Sequence, residues 1–435
     1  MYNNEIEKHR QFMKIKSEIR GSDKYLIVGI DVGKLSHHAF FGMPNGKVLF
    51  KRFVFQNTRD GFDRLVNKIE AVRARHNLDE IVIGVEPTAN YHKPLAQFLI
   101  NRSFHVVLES GNAVKKNREL LDGRWDKNDT KDAANVADLI SQGKCLFYEN
   151  PSMEIVSVRE LLSLQNRLKK EERSLKVRIR NCLLAKYFPE LDRVYNRAEQ
   201  ENLAIIRCCL SPEKIASMDF REFSIKVTSR KSGLPQEKRL KNIHNLAGES
   251  IGCKITRSAV IEGEMFVDRI RNIKESLKKI EGEIVSICRE LPGYEHLLTI
   301  PGFGPYVSSV VLARIGNPFR FKTQSQVIKL SGYDLSAMRS GKNARSKVPN
   351  ISKRGHTELR YALYQAAHCA STHDNIFMHY YTNLLKERKA EKGIEVKMRV
   401  KLAVKMLVIA WTMLKNNEPF DPNMIKIDAG RRDKT

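Results

Sequence analysis

The chain has 435 residues, more than a single hydrophobic core usually serves, and 42% of them are hydrophobic, which excludes a disordered protein. Lysine and arginine number 76 against 50 aspartates and glutamates, so the formal net charge is +26. A surplus of that size indicates a polyanionic partner, most often nucleic acid, although charge alone also fits a merely soluble basic protein.

The cysteines and the apolar segments indicate the cellular compartment of the protein. None of the seven cysteines forms a CxxC pair, and the N-terminus has no apolar signal core. The most apolar late stretch, 402–414, contains Lys405 and is too short to span a bilayer, so it predicts a buried helix. We therefore expect a cytoplasmic protein with reduced thiols and no membrane partner.

Strand and helix patterns alternate from residue 24 to 150. Short apolar runs predict buried strands at 25–31, 81–86 and 106–108, and strands 38–41 and 48–55 flank a Pro44-Asn45-Gly46 hairpin turn. Helical patterns fill about 59–76, 95–102, 113–121 and 130–141. Three strands followed by alternating helices and strands are typical of a ribonuclease-H-like α/β domain, which we expect over residues 1–150.

A heptad pattern begins after Pro151. Apolar residues recur at steps of three, four or seven in two segments: Leu161, Leu164, Leu168, Leu175, Ile179 and Cys182, then Phe266, Ile270, Ile273, Leu277, Ile280, Ile284 and Ile287. This predicts coiled-coil helices over 151–290 that pair with each other or with a second protomer. A helical insertion is expected at about 189–258, with one helix starting at Ser211-Pro212.

The sequence pattern of the C-terminal part predicts a mainly helical domain over 291–420, followed by a tail over 421–435. The glycine-rich turn at 300–305 precedes a helix over 306–315, and helical patterns return over 356–415. Such a turn can present backbone N–H groups to a phosphate, although many ordinary turns have the same composition.

Four carboxylates form the candidate catalytic and metal site. Asp31 and Glu86 each end a buried strand, where a charge needs compensation, and Asp129 and Asp132 share one face of a helix. Hard oxygen ligands that converge on one point select Mg²⁺ or Mn²⁺, and such ions can assist phosphodiester chemistry. Competing carboxylates lie close by in the sequence: Asp122, Asp138 and, the most serious, Asp126.

A basic loop carries the second candidate site. Ten cations stand between Phe319 and Arg360 against two acidic residues, and the segment 339–347 lacks apolar periodicity, so it is expected to contact phosphate. The candidate nucleic-acid-binding residues are Arg339, Lys342, Arg345, Lys347, Lys353, Arg354 and Arg360. From chemistry alone, four serines of this region are nearly equivalent as nucleophiles: Ser336, Ser340, Ser346 and Ser352.

These segments together resemble one family, the insertion-sequence transposases of the IS110 type, which are related to the Piv DNA invertases. The N-terminal motifs are Gly29-Ile-Asp-Val-Gly-Lys34, Glu86-Pro-Thr-Ala-Asn-Tyr91, Asn112-Ala-Val-Lys115 and Lys127-Asn-Asp-Thr-Lys-Asp-Ala133, with Ala89 in place of the usual glycine and Asn128 in place of the usual threonine. The C-terminal motifs include Ile300-Pro-Gly-Phe-Gly304, Arg320-Phe321, Ser331-Gly332, Ser340-Gly341, Ile351-Ser-Lys-Arg-Gly355 and Leu359-Arg360.

The resemblance implies a RuvC-like domain whose Asp-Glu-Asp-Asp set maps to Asp31, Glu86, Asp129 and Asp132, and a transposase domain whose serine maps to Ser340. It also implies that a structured noncoding RNA from the element, the bridge RNA, joins donor and target DNA, so that base pairing supplies most sequence choice. The coiled-coil helices would join protomers in a dimer or tetramer, with an active site shared between subunits.

Two other functions compete with a recombinase. A RuvC-like junction resolvase or nuclease would use the four carboxylates and water and leave Ser340 idle. A structural nucleic-acid-binding protein would use the heptads and the basic loop alone, but such a protein has no need of carboxylates at the ends of buried strands.

Overall fold

A computed structural model describes residues 3–122, 129–194, 203–207, 211–228, 234–336, 350–386, 388 and 390–425. The chain divides into two compact units, Met1–Pro151 and Ser152–Thr435. The first unit is a mixed α/β unit and the second is mostly helical.

The first unit contains the strands and helices that the sequence predicts, each within a few residues of the predicted bounds. The strands are β1 (Tyr25–Val32), β2 (Ser36–Gly42), β3 (Val48–Gln56), β4 (Glu80–Val85), β5 (His105–Leu108) and β6 (Leu146–Phe147). The helices are α1 (Asn3–Glu18), α2 (Arg59–His76), α3 (His92–Ile100), α4 (Gly111–Asp122) and α5 (Asp129–Ser141). Helix α1 and strand β6 are additions to the predicted set.

One six-stranded sheet organises this unit, in the order β3-β2-β1-β4-β5-β6. Strand β1 is antiparallel to β2 and parallel to β4, and β4 is parallel to β5. The β2–β3 hairpin turns at the predicted place, where Gly46 takes φ +90° and its N–H donates to the Met43 carbonyl. Because β1 and β4 run in the same direction, their carboxyl ends meet at one edge of the sheet.

Helices cover both faces of the sheet. On one face, β1 and β4 side chains pack with α2 and α3 around the fully buried Leu65 and Leu95. On the other, α1 and α5 contribute Ile15, Val136 and Ile140 to a second apolar cluster. Burial on both faces explains why β1 and β4 are nearly continuous apolar runs instead of alternating ones.

In its described residues, the second unit contains helices α6 to α19 and a short β-hairpin. The helices are α6 (Met153–Arg178), α7 (Ala185–Tyr187), α8 (Pro189–Val194), α9 (203–207), α10 (Pro212–Ala216), α11 (Phe220–Val227), α12 (Leu234–Gly248), α13 (Arg257–Arg289), α14 (Tyr294–Leu298), α15 (Pro305–Ile315), α16 (Gln324–Ser331), α17 (Thr357–His373), α18 (Asn375–Leu385) and α19 (Ile394–Asn416). The hairpin strands are β7 (Leu335–Ser336) and β8 (Asn350–Ile351). Helix α10 begins at the predicted Ser211 cap, whose side chain accepts from the Lys214 N–H.

The two heptad helices, α6 and α13, pack against each other within this chain. Glu281 of α13 accepts a hydrogen bond from Gln165 of α6 at 2.9 Å, and the Arg269–Glu171 ion pair closes at 2.6 Å. Ile284 and Cys288, near the end of α13, belong to the same core as α15, α17 and α19. Three expectations for this unit stay predictions: that the two helices supercoil, that the unit divides at about residues 290 and 420, and that the helices pair protomers.

The seam on α6 differs from the predicted one: Leu162 and Gln165 are buried, whereas the predicted Leu161 and Leu164 are only partly buried. The end of the seam differs as well. Cys182, which the heptad pattern places on the seam, is exposed, whereas Leu183 and Leu184 are fully buried. The reason is a π-helical turn at Ile179–Leu184, which adds a residue to the turn and rotates the following side chains around the axis. A fixed step of three and four cannot anticipate such a turn.

The apolar stretch 402–414 lies in α19, as predicted. Leu402, Met406 and Ala410 are fully buried in the core of the second unit. Among the residues that the structure describes, none of the helices has the length and apolarity that crossing a bilayer requires.

Candidate active site

Three of the four predicted carboxylates line one cleft at the edge of the sheet. The cleft has a volume of about 420 Å³ and is lined by Asp31, Glu86 and Asp132 together with Lys34, His38, Thr88 and Arg118, among others. Asp31 lies near the end of β1, opposite His38 on β2, and Glu86 directly follows β4. The parallel pairing of β1 with β4 thus brings these two carboxylates to the same edge.

Two glycines allow α5 to approach this edge closely. A Cβ at Gly29 of β1 would lie 2.2 Å from the carbonyl oxygen of Ala133 and 2.6 Å from the backbone nitrogen of Ala137. A Cβ at Gly84 of β4 would lie 2.3 Å from the Ile140 Cδ1 atom. The backbone of α5 therefore rests directly on β1, and this contact places Asp132 beside the strand carboxylates.

Asp132 is buried and paired. Its carboxylate Oδ1 accepts a hydrogen bond from the Arg118 Nε of α4 at 2.7 Å, and the residue is only 1% exposed. A carboxylate removed from water needs a positive partner, and the guanidinium supplies one here. The sequence patterns gave no indication of Arg118.

The fourth predicted carboxylate, Asp129, and its competitors are not among the residues that line the cleft in the described part of the chain. Asp129 is the first residue of α5, one turn before Asp132, but its side chain, like all of Asp126, lies outside the described residues. Asp138 accepts hydrogen bonds from Asn117 and Gln142 and is absent from the residues that line the cleft. Among the described side chains, no three His, Cys, Asp or Glu residues stand close enough to hold a metal ion by themselves.

The turn after Glu86 explains one departure from the family motif. Ala89, at the position of the usual glycine, takes φ +46°, in the left-handed region that glycine adopts without strain. A glycine would suit this backbone better, because an alanine adopts it at some steric cost. The neighbouring α4 begins against the same carboxylate, since a Cβ at Gly111 would lie 3.1 Å from the Glu86 Oε1 atom.

A further acidic residue close to this edge escaped the sequence reasoning. Glu109 follows β5, and its N–H donates to the carbonyl of Val85, the residue before Glu86. Its side chain is fully buried, and neither carboxylate oxygen has a hydrogen-bond partner. Burial raises the pKa of Glu109 to about 8, an effect that the charge of Lys16 opposes. In sequence, Glu109-Ser-Gly has the composition of an ordinary turn.

The basic loop is described only at its base. Strands β7 and β8 pair antiparallel, with Leu335 opposite Ile351 and Ser336 opposite Asn350, so the two ends of the loop lie side by side. The candidate nucleophile Ser340, its competitor Ser346 and the cations Arg339, Lys342, Arg345 and Lys347 lie outside the described residues. Ser352 donates a hydrogen bond to the Asp334 carboxylate at 2.5 Å, so this competitor has a structural role.

Two glycines of the C-terminal motifs hold the loop base against α16. A Cβ at Gly355 would lie 2.2 Å from the Gly332 nitrogen, and one at Gly332, which has φ +72°, would lie 2.5 Å from the Gly355 nitrogen. Arg360 donates to the Ser331 carbonyl at 2.8 Å and also contacts the Gly355 carbonyl. The family motifs around this loop are therefore positions where two backbone segments touch.

The described cations of this region fall into two groups. Lys353 and Arg354 are exposed and available to a phosphate backbone. Arg360 is half-buried and its guanidinium is committed to backbone carbonyls, so a nucleic-acid contact from it stays a prediction. The glycine-rich turn leads into α15, where Gly304 is the N-cap without a side-chain cap and a Cβ there would meet open space.

Two family models and one relative match this chain. A transposase family model of the DEDD domain of IS110 elements matches residues 28–189, and a model described as transposase of the IS116/IS110/IS902 family matches residues 294–382. Together they span more than half of the chain. One relative, an insertion element IS110 uncharacterized 43.6 kDa protein from Streptomyces coelicolor, is 22% identical over 413 residues, which cover 92% of this chain and 97% of the relative. The chain therefore belongs to the IS110-type transposases.

Proposed function

We propose that this transposase cuts and rejoins the DNA strands of a mobile element through a serine–DNA covalent intermediate, assisted by a divalent metal. Cutting and rejoining of DNA is what transposases do in general, and DNA is accordingly a partner. The observation that carries the finer proposal is the cleft in which Asp31, Glu86 and Asp132 come together.

The topology of the first unit supports a ribonuclease-H-like, RuvC-like domain. An antiparallel β1–β2–β3 meander is followed by parallel β4 and β5 on the other side of β1, and a helix-borne Asp132 faces the ends of β1 and β4. This arrangement concentrates acidic groups at a single sheet edge, where a phosphate can approach from solvent.

The donor set fits Mg²⁺ or Mn²⁺. Every predicted ligand is a carboxylate, and its oxygens are the hard donors that these ions prefer. Asp31, Glu86, Asp129 and Asp132 would hold the ion. When bound, it would neutralise charge on the phosphate and favour the ionised form of an attacking hydroxyl.

Ser340 would supply the nucleophile. Its Oγ attacks the scissile phosphorus, forming a phosphoserine ester while one sugar hydroxyl leaves with a proton. A sugar hydroxyl of another strand then attacks the same phosphorus, restores a phosphodiester and returns the proton to the serine. The number of phosphoester bonds is conserved throughout, so strand exchange needs no high-energy cofactor.

The cations of the basic loop would stabilise the phosphate during this exchange. The loop residues Arg339, Lys342, Arg345 and Lys347 join the exposed Lys353 and Arg354 at its base. Several guanidinium and ammonium groups beside one phosphate lower the cost of the added negative charge in the transition state. The exposed backbone at Gly304 offers a further N–H-lined contact for the DNA backbone.

A structured noncoding RNA would choose the DNA sequences, and two or four copies of the chain would assemble on them. The support is the net charge of +26, together with the family to which the chain belongs. A guide relieves the protein of reading bases, and its contacts then follow the shape and charge of the nucleic acid backbone.

Replacement of Asp31 by Asn tests the carboxylate site. The change removes one charge without changing side-chain volume, so the fold should persist while strand cleavage of element DNA with Mg²⁺ is lost. Asp79→Asn, the same change at an exposed position of the first unit, is the matched control and should recombine normally. Wild-type recombination by Asp31→Asn would contradict the proposal.

A further inference from the structure

The Arg118–Asp132 pair lies inside the proposed metal site. Asp132 and Arg118 both line the cleft that contains Asp31 and Glu86. The Arg118 side chain is 18% exposed and that of Asp132 2% exposed, with 2.7 Å between Nε and Oδ1. The guanidinium thus holds one oxygen of a buried carboxylate that the proposed function assigns to the metal ion.

The junction of α4 with α5 does not depend on this pair. Asn117 donates to Asn135 at 2.7 Å and to Asp138 at 2.6 Å, and Asn135 donates to the Val114 carbonyl at 2.6 Å. These bonds fix how α4 lies on α5. The Arg118 side chain can therefore leave Asp132 while the two helices stay in register.

We propose that Arg118 is the resident countercharge of Asp132, and that the divalent ion displaces it on binding. The inference rests on the proposed function, because it assigns the ion to Asp132. A guanidinium and a divalent cation repel each other at short distance, so Arg118 and the ion compete for the charge of the Asp132 carboxylate. Arg118 is then a positioning residue that competes with the metal.

Displacement gives Arg118 a second role. The released guanidinium remains at the cleft, where the scissile phosphate would bind, and its planar donors match phosphate oxygens. Metal binding would in this way expose a phosphate-binding group only once the ion is in place. The exchange would also keep Asp132 neutralised at every stage, which avoids an uncompensated buried charge.

Manganese binding to the full-length, metal-free protein without DNA tests the exchange. Free Mn²⁺ is measured by electron paramagnetic resonance during titration of the wild type and of Arg118→Gln. Loss of the competing charge should tighten Mn²⁺ binding roughly threefold or more, the scale of coupling between residues in contact. Without metal, Arg118→Gln should melt at a lower temperature than the wild type. Saturating Mn²⁺ should reduce this difference in melting temperature.

Two further variants keep the test interpretable. Arg102→Gln removes a guanidinium from another ion pair of the first unit, 2.8 Å from Asp63, and should leave Mn²⁺ affinity unchanged. If Arg118→Gln does not fold, Arg118→Lys retains the charge but not the forked donor. It should then bind Mn²⁺ more tightly than the wild type by a smaller factor.

The outcomes separate the exchange from the proposed function. Equal or weaker Mn²⁺ binding by the Arg118 variant, in a wild type that binds Mn²⁺ and recombines DNA, overturns the exchange alone. A wild type that recombines DNA without any divalent ion, or that binds none, overturns the metal-assisted function and with it the exchange.

Discussion

Glu109 makes the stability of the first unit depend on pH, and Glu109→Gln should remove that dependence. The folded chain keeps the Glu109 proton up to about pH 8, whereas an unfolded chain releases it near pH 4.5. Between these values the folded state binds one more proton, so the free energy of unfolding falls as pH rises, by about 1.4 kcal/mol per pH unit. Below the lower value both states are protonated and this contribution is constant.

The expected magnitude follows from that interval. Across about three pH units the loss from this one group is on the order of 4 kcal/mol, a large fraction of a typical domain's stability. Glutamine is nearly isosteric and neutral, so Glu109→Gln should match the wild type near pH 4.5 and exceed it increasingly toward pH 8. Glu80→Gln, the same change at an exposed strand position, is the control.

Urea unfolding at pH 5 and pH 8 measures the difference. Brief hydrogen-exchange labelling at one fixed pH, read by mass spectrometry on peptides from β4 and β5, reports the unfolding of the first unit alone. The variant should gain several kcal/mol over the wild type at pH 8 and little at pH 5. A constant difference between the two proteins at both pH values would refute the reasoning.

Three further predictions follow from the packing and the charge. Gly29→Ala should destabilise the first unit by about 3 kcal/mol and impair cleavage. Gly84→Ala should destabilise it less, because the added Cβ meets the movable end of the Ile140 side chain instead of backbone. Equal melting temperatures of the two variants would contradict this reasoning. Ile273→Asp should unfold the second unit at lower urea than Ile261→Asp on the exposed side of α13, and a normal melt would place the seam in solvent. Protein purified at low salt from cells that carry the whole element should retain one defined noncoding RNA, and recovery of random cellular RNA would count against a guide.

Periodicity was sufficient to predict the strands of the sheet and the positions of Asp31 and Glu86 at strand ends. Apolar runs that end in Asp31 and Glu86 identify strands buried on both faces, and the strand order implies that these ends meet. The three-residue spacing of Asp129 and Asp132 indicates a shared helix face. These signals are local, so a single sequence contains them in full.

The rest of the site depends on contacts between distant segments. Arg118 pairs with Asp132 across two helices, and no spacing rule links them. Glu109 is buried and senses the charge of Lys16 on α1, and the sequence pattern at α1 was too polar to predict that helix. Ala89 shows the same limit for backbone conformation, since its left-handed φ is imposed by the turn and not by its side chain.

The heptad pattern shows a different limit. It predicted two helices that pack together, but the buried stripe on α6 follows Leu162 and Gln165 instead of Leu161 and Leu164. At the π-turn Ile179–Leu184 the stripe again differs, since Leu183 and Leu184 are buried and Cys182 is exposed. Such turns depend on how the helix packs at one place, so a regular repeat extrapolated through them fails beyond that place.

The most direct test of the account is the chemical identity of the protein–DNA intermediate. Element-end DNA with a labelled strand is incubated with the protein, its noncoding RNA and Mg²⁺, and any covalent adduct is digested and located by mass spectrometry. The account predicts a phosphoserine linkage at Ser340 that is absent from both Ser340→Ala and Asp31→Asn. Full recombination by Ser340→Ala, or an adduct at Ser336, Ser346 or Ser352, would contradict it.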